Sequence, residues 1–139
     1  MDIITKNKKA YFEYEILDKF EAGLVLTGAE IKAIRAGRVN LTGTFCRIQN
    51  GEVWALNIHI LTTEDPERSR KLLMHKSEIR ALLGKTEQKG FVIIPLTLYI
   101  KKGKAKLEIA LARGKKLHDH RDSLRKKDLN RQVERDLKE

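Results

Sequence analysis

The chain has 139 residues, 41% of them hydrophobic, with 29 Lys and Arg against 19 Asp and Glu and a formal net charge of +10. This length supports one small core plus a tail, and the charge is the footprint of a polyanion binder, which leaves nucleic acid or an anionic membrane as partner. No apolar run approaches the ~20 residues that span a bilayer, and Met1-Asp2-Ile3-Ile4-Thr5-Lys6 lacks the layout of a secretory leader, so a cytosolic nucleic-acid partner is favoured over a membrane.

In chain order, residues 1–9 are polar and basic and read as an arm that orders on a partner. Residues 11–17, Tyr11-Phe12-Glu13-Tyr14-Glu15-Ile16-Leu17, read as an aromatic-rich strand, and Ala22-Gly23-Leu24-Val25-Leu26 as a second extended stretch. Thr27 or Gly28 starts a short helix, Ala29 to Ala36, closed by Gly37. Its Ile31 and Ile34 lie on one face, Lys32 and Arg35 on another. Phe45-Cys46-Arg47-Ile48 then leads into Gln49-Asn50-Gly51-Glu52, and Asn-Gly is a strong hairpin signal because both residues tolerate positive φ. The return strand is read from Val53 to Ile60, with Trp54, Leu56, Ile58 and Ile60 on one face. After a polar loop, Leu72 or Leu73, Ile79, Leu82 and Leu83 suit a helix with one apolar stripe, stopped by Gly90. A second, longer hairpin follows. Val92, Ile94, Leu96, Leu98 and Ile100 alternate towards Lys101-Lys102-Gly103-Lys104, and Ala105, Leu107, Ile109 and Leu111 share the core face of the return strand. Pro95 cannot donate to a ladder and marks an edge or a bulge. Beyond Gly114 basic residues outnumber acidic ones and hydrophobes are sparse, so this stretch is expected to be disordered when free and helical on a partner.

These elements predict a mostly-β fold: a small antiparallel barrel of the oligonucleotide/oligosaccharide-binding (OB) type. It would have five to six strands, two or three short helices and a basic C-terminal tail. The barrel domain is placed at 1–114 and the tail at 115–139. Cys46, the single cysteine, excludes an internal disulfide and a cysteine metal cluster, and its alternating apolar surroundings suit a small buried hydrophobe. His59, His75, His118 and His120 lack the partners of a zinc site. No Gly-rich phosphate loop, nucleophile elbow or metal motif occurs, so neither an enzyme nor a cofactor is expected. Glu21 and Glu30 could form a carboxylate pair, but surface solvation is the commoner fate of such residues.

Three basic clusters remain. Asn7-Lys8-Lys9 precedes Tyr11, Phe12 and Tyr14, combining phosphate-neutralising and base-stacking side chains, although for at least two of the three aromatics strand core is the better reading. Arg68, Arg70, Lys71, Lys76 and Arg80 form a second cluster, for which a solvated helix face is the alternative. The third runs from Arg113 to Arg121, where the body becomes a tail.

In order and over nearly the whole chain, these stretches resemble the small protein B (SmpB) family, whose members bind tmRNA. The matching segments are Asn7 to Tyr11, Phe20 to Gly28, Glu30-Ile31-Lys32 running to Arg35 and on to Leu41, and Asn50-Gly51-Glu52. Further matches are Asp65-Pro66, Arg70-Lys71-Leu72-Leu73, Gly84-Lys85, Lys89-Gly90, and Ala110 to Lys116 with Asp119 and Arg121. The resemblance implies an OB-like barrel that binds the tRNA-like part of tmRNA and delivers it to stalled ribosomes. It also implies a tail that lies in the decoding centre and the empty mRNA channel. Positions matching Asn7, Glu21 and Leu73 belong to the family's tmRNA-binding face. With the basic and polar side chains of the matched segments, the candidate RNA-binding set is Asn7, Lys8, Lys9, Glu21, Lys32, Arg35, Arg38, Asn40, Arg70, Lys71, Leu73 and Lys76. The candidate ribosome-contacting set is Gly114, Lys115, Lys116, His118, Asp119 and Arg121. A monomeric, cytoplasmic adaptor is the expected state. Departures from the family pattern are Phe12 in place of a frequent His, His120 in place of a commoner Lys, and a shorter loop between Ile60 and Asp65. The competing readings are a ribosomal or other rRNA-binding small basic barrel, and an enzyme acting on RNA.

Overall fold

The computed structural model describes residues 2–62 and 68–115. In chain order the elements are β1 (Asp2–Lys6), α1 (Lys8–Glu13), β2 (Tyr14–Leu24), α2 (Gly28–Arg35), β3 (Val39–Asn40), β4 (Phe45–Gln49), β5 (Glu52–Leu56), β6 (His59–Ile60), β7 (Arg70–Leu73), α3 (Lys76–Thr86), β8 (Phe91–Lys101) and β9 (Lys104–Gly114). The main sheet runs β1-β8-β4-β5-β7-β2-β9, and β9 pairs back onto β8. The strands from β8 through β4, β5, β7 and β2 to β9 therefore close a ring, all antiparallel, which is the expected OB-like barrel. Closure between β4 and β8 rests on one pairing, Cys46 with Ile93. The other half of β8 carries β1, while β3 and β6 form a separate two-stranded ladder.

Both hairpin turns have the positive φ that a two-residue connection demands: Asn50 and Gly51 at 52° and 76°, Lys102 and Gly103 at 53° and 76°. Ala105, Leu107, Ile109 and Leu111 all enter the main core, as their alternation indicates. On β8 the alternation breaks. The ladder with β9 shifts register between Pro95 and Thr97, a bulge where Pro95 offers no donor. Leu98 and Ile100 consequently face the main core, whereas Ile94 and Leu96 face a second cluster with Ala10, Ala110 and Ala112 under α1. The even-numbered residues of β8 do not share one face.

Four other expectations are corrected. The N-terminal arm is structured: β1 pairs with β8, and α1 takes in Tyr11, Phe12 and Glu13, so the strand begins only at Tyr14 and runs unbroken to Leu24. The return strand of the first hairpin ends at Leu56, because Asn57 adopts φ 68° and turns the chain. Val53 and Ala55, not Trp54 and Leu56, are the buried pair there, and Ile58 and Ile60 rejoin the core beyond the turn. Residues 70–73 form a strand and not the start of the helix, so Leu72 is buried and Leu73 exposed by simple alternation. Glu30 is buried, not solvated. Thr27 and Glu30 form a capping box at the start of α2, with the Glu30 amide donating to Thr27 Oγ1 at 3.2 Å and the Thr27 amide donating to Glu30 Oε1 at 2.9 Å. The same carboxylate then meets Arg68 at 2.6 Å and Arg70 at 2.7 Å.

Candidate nucleic-acid interface

Directly opposed residues of an antiparallel ladder point to the same side of the sheet, so the pairings trace rows across the barrel's outer surface. One row runs from Leu73 on β7 to Gly23 on β2, Lys106 on β9, Tyr99 on β8 and Ile3 on β1. The next joins Glu21 to Glu108, Thr97 and Lys6. On the other flank Lys71 is opposite Trp54, which is opposite Arg47. Glu21 and Leu73, far apart in sequence, thus share one outward face, and Leu73 leaves 56% of its surface exposed there.

Beside Glu21 this face sinks into a groove of about 750 Å³, with Lys6, Lys8, Lys19 and Lys101 at its sides and Tyr11 and Tyr99 among its walls. Lys19 Nζ lies 5.7 Å from the centre of the Tyr11 ring, a cation–π contact. The Tyr99 hydroxyl donates to Glu21 Oε2, and Lys101 Nζ approaches the same oxygen at 3.4 Å. The Tyr99 hydrogen bond holds the Glu21 carboxyl below its ordinary range; partial burial works against it, and the Lys101 and Lys106 ammonium groups work with it. Burial, then the neighbouring Glu21, pushes the Tyr99 hydroxyl up, so the proton stays on the phenol and Tyr99 is the donor.

The structure brings some sequence candidates to this face and places others elsewhere. Lys8 and Glu21 line the groove, with Leu73 and Lys71 farther along the same surface. Lys71 Nζ is held at 2.7 Å by Glu52 in an exposed pair, which costs little to release. Lys9 lies outside the groove lining and pairs with Glu13 at 3.6 Å. Lys32, Arg35, Arg38 and Asn40 belong to the α2–β3 corner. There Arg35 Nη2 donates to the Gly103 carbonyl at 3.3 Å and Asn40 Oδ1 accepts from the Thr42 amide at 2.8 Å. Lys76 is exposed at the start of α3.

Two candidates are turned inward. Asn7 is only 7% exposed; its Oδ1 caps α1 by accepting from the Ala10 amide at 3.3 Å, and its Nδ2 donates to the Pro95 carbonyl at 3.1 Å. The side chain that could read a base edge is instead the joint between α1 and the β8 bulge. Arg70 has no exposed surface at all, and besides Glu30 it donates to the carbonyls of Ile58 at 2.7 Å and Arg68 at 2.9 Å. It therefore has no surface to offer a phosphate, and its place in the candidate set is corrected to an interior one.

Gly114 ends β9, and Lys115 ties back to α1, its amide donating to the Glu13 carbonyl at 2.9 Å. Lys116, His118, Asp119 and Arg121, and most of the loop between Ile60 and Arg68, lie outside the described residues. Sequence reasoning missed Lys6, Lys19, Tyr99 and Lys101. For Tyr99 and Lys101 the signal was present: they alternate with the core residues Leu98 and Ile100 on β8, and a tyrosine at such a position needs a partner for its hydroxyl; no such alternation flanks Lys6 or Lys19. Among the described residues no group of three or more His, Cys, Asp or Glu could hold a metal ion, and no helix is long and apolar enough to cross a membrane. Cys46 is buried, with its thiol pushed up to about 12 by desolvation, which suits an inert core residue.

The closed six-strand ring and its polar, lysine-lined outer groove define the class, a small OB-like barrel with a basic face. The SmpB protein family matches residues 4–139. An SsrA-binding protein of Thermosynechococcus vestitus is 51% identical over 145 residues, covering 99% of this chain and 95% of its own length. One from Acaryochloris marina is 53% identical over 144 residues, covering 98% and 94%. A chain solved in a tmRNA-SmpB study of the center of the bacterial ribosome superposes with a TM-score of 0.70 at 46% identity, covering 84% of this chain and 87% of that one. The chain belongs to the SmpB family.

Proposed function

We propose that this protein is a non-enzymatic, cytoplasmic adaptor that binds the tRNA-like domain of tmRNA and brings it to stalled ribosomes for trans-translation. The observation that carries the reading is the convergence of Glu21, Leu73, Lys8 and Lys71 on one outer face, where lysines and tyrosines surround the Glu21 groove. Ammonium groups neutralise phosphates, the exposed Tyr11 ring can stack on an unpaired base, and a fixed carboxylate accepts from a ribose hydroxyl or an amine. The relatives named above are SsrA-binding proteins, and the solved relative comes from a tmRNA-SmpB study, which supports the same reading. Residues 1–114 act as the RNA-binding barrel. Residues 115–139, including Lys115, Lys116, His118, Asp119 and Arg121, act as the basic segment that enters the decoding centre and mRNA channel. The protein works as a monomer and needs no cofactor. Sequencing the RNA that copurifies with the protein tests this: one abundant, structured, tRNA-like RNA is expected to dominate. Broad recovery of rRNA would point instead to a constitutive ribosomal protein.

A further inference from the structure

Glu21 and Glu108 stand directly opposite one another on β2 and β9. Like charges in that position repel, so the Glu21 carboxylate keeps one orientation only if something holds it. Two groups on β8 reach over β9 to do so, the Tyr99 hydroxyl and Lys101 Nζ, and both meet Oε2. Among the described residues Oε1 accepts no hydrogen bond. The two partners are unequal. Lys101 is half-exposed, at 3.4 Å, on a long flexible stem, and such pairs contribute little. Tyr99 is 6% exposed, its ring is fixed by packing, and its hydroxyl has only the end of the ring from which to donate.

We propose that Tyr99 is a positioning residue of the interface: it turns the Glu21 carboxylate so that Oε1 alone faces the groove, and this restricts the RNA partner to a contact with one oxygen, from a ribose 2′-hydroxyl or an exocyclic amine. The inference rests on the reading above, that this face binds RNA. Each carboxylate oxygen has two lone-pair sites; on Oε2 the fixed Tyr99 hydroxyl takes one and Lys101 approaches the other, so Oε2 is turned to the protein and Oε1 is left for the groove. The paired N1–H and N2–H donors of a guanine Watson–Crick edge need both oxygens together, so that bidentate mode is closed while a one-point contact stays open. Ionisation supports the assignment: the carboxyl is held low and the phenol high, which keeps the donor on Tyr99 and the acceptor on Glu21.

A double-mutant cycle on the full chain tests this, with affinity for a transcript of the tmRNA tRNA-like domain measured for wild type, Tyr99→Phe, Glu21→Gln and the double variant. Tyr99→Phe keeps the ring and removes only the hydroxyl. It is expected to weaken binding by roughly tenfold, the worth of about one hydrogen bond, and to add nothing further in the Glu21→Gln background. Additive losses would assign Tyr99 a purely structural role and overturn the proposal. Nucleotide-analogue interference with wild type and Glu21→Gln gives a readout that does not depend on how Tyr99→Phe folds. One site of 2′-deoxy interference relieved by Glu21→Gln identifies a ribose donor, and one relieved site of inosine, purine-riboside or pyrimidin-2-one interference identifies a guanine, adenine or cytosine amine. Relief of N1-methylguanosine interference would reveal the bidentate mode and contradict the inference, as would the absence of any relieved site. Should wild type bind the transcript no better than an unrelated RNA of equal length, the functional reading itself fails; selective binding with an additive cycle removes only the role of Tyr99.

Discussion

Two glutamates in this barrel are held by cations and depressed below their ordinary range, yet they serve opposite ends. Glu30 is 1% exposed, and its oxygens accept from Arg68, Arg70 and the Thr27 amide. Burial pushes its carboxyl up; the Arg68 hydrogen bond, then the Thr27 amide and Arg70, bring it below the usual value. Glu21 sits on the outer face, is only partly desolvated, and has one oxygen occupied and one open. A carboxylate whose acceptor sites are consumed inside can only join parts of the fold, here the start of α2 to β7. A carboxylate held on one side can both be fixed and still bind something else. What separates the two is the number of partners each has, and not the charge.

The largest expected effect breaks the interior partnership. Glu30→Ala takes from the buried Arg70 the carboxylate that it meets at 2.7 Å, and Arg70→Ala leaves Glu30 with one arginine fewer. Each is expected to cost about 3–5 kcal/mol of stability in urea unfolding. A loss under about 1 kcal/mol would mean that water replaces the missing partner. The pH dependence has a definite sign. Because the folded carboxyl of Glu30 is depressed, its contribution is fully present above the unfolded value, near 4.5, and is lost as pH falls through the folded value. The stability gap between wild type and Glu30→Gln should therefore narrow below pH 4.5. A gap that stays constant down to acid unfolding would count against an ionised Glu30.

Much of this contrast was legible in the sequence and part was not. The two hairpins followed from Asn50-Gly51 and Lys102-Gly103, and the inward set Ala105, Leu107, Ile109 and Leu111 from strict alternation. The helix start at Thr27 was visible, but Glu30 three residues on was weighed as a surface acid and not as half of a capping box. Reading Leu72 or Leu73 into the helical stripe of Ile79, Leu82 and Leu83 hid the strand Arg70–Leu73, whose period of two sends Arg70 and Leu72 inward and Lys71 and Leu73 outward. Arg70 entered the RNA-binding set through its basic neighbours and the SmpB-like segment, neither of which shows the parity that turns it inward. Bulges did the remaining damage: no propensity marks which residue of β8 is the unpaired one, although Pro95 announced that one was near. The resemblance to SmpB supplied Glu21 and Leu73, but Tyr99, which completes the Glu21 site from a different strand, emerges only when β8 and β2 are seen to flank β9.

A smaller effect sharpens the outer side of the comparison. Lys71→Ala should weaken RNA binding and flatten the dependence of log affinity on log salt by about one contact's worth, since releasing the exposed pair with Glu52 costs little. An unchanged slope would place Lys71 off the RNA. Smallest in its effect on the fold is truncation after Lys116. Among the described residues both apolar clusters are built from residues before Lys115, so stability should stay within ~0.5 kcal/mol of the full chain and RNA affinity should largely persist, while tagging of stalled nascent chains is lost. Full tagging by the truncated protein would reduce the tail to a solubilising extension.

The central claim is that the open face around Glu21 recognises RNA through the carboxylate and not merely through charge. Its most direct measurement is the affinity of Glu21→Ala for the tRNA-like domain of tmRNA, taken beside its unfolding curve. Removing an acid makes a polyanion binder more positive, so electrostatics alone predicts tighter binding. A specific hydrogen bond to the carboxylate predicts a loss of roughly 1–3 kcal/mol with the unfolding curve little changed. Weaker binding by a fully folded variant is the result expected here; binding as tight as wild type or tighter would take Glu21 off the RNA face.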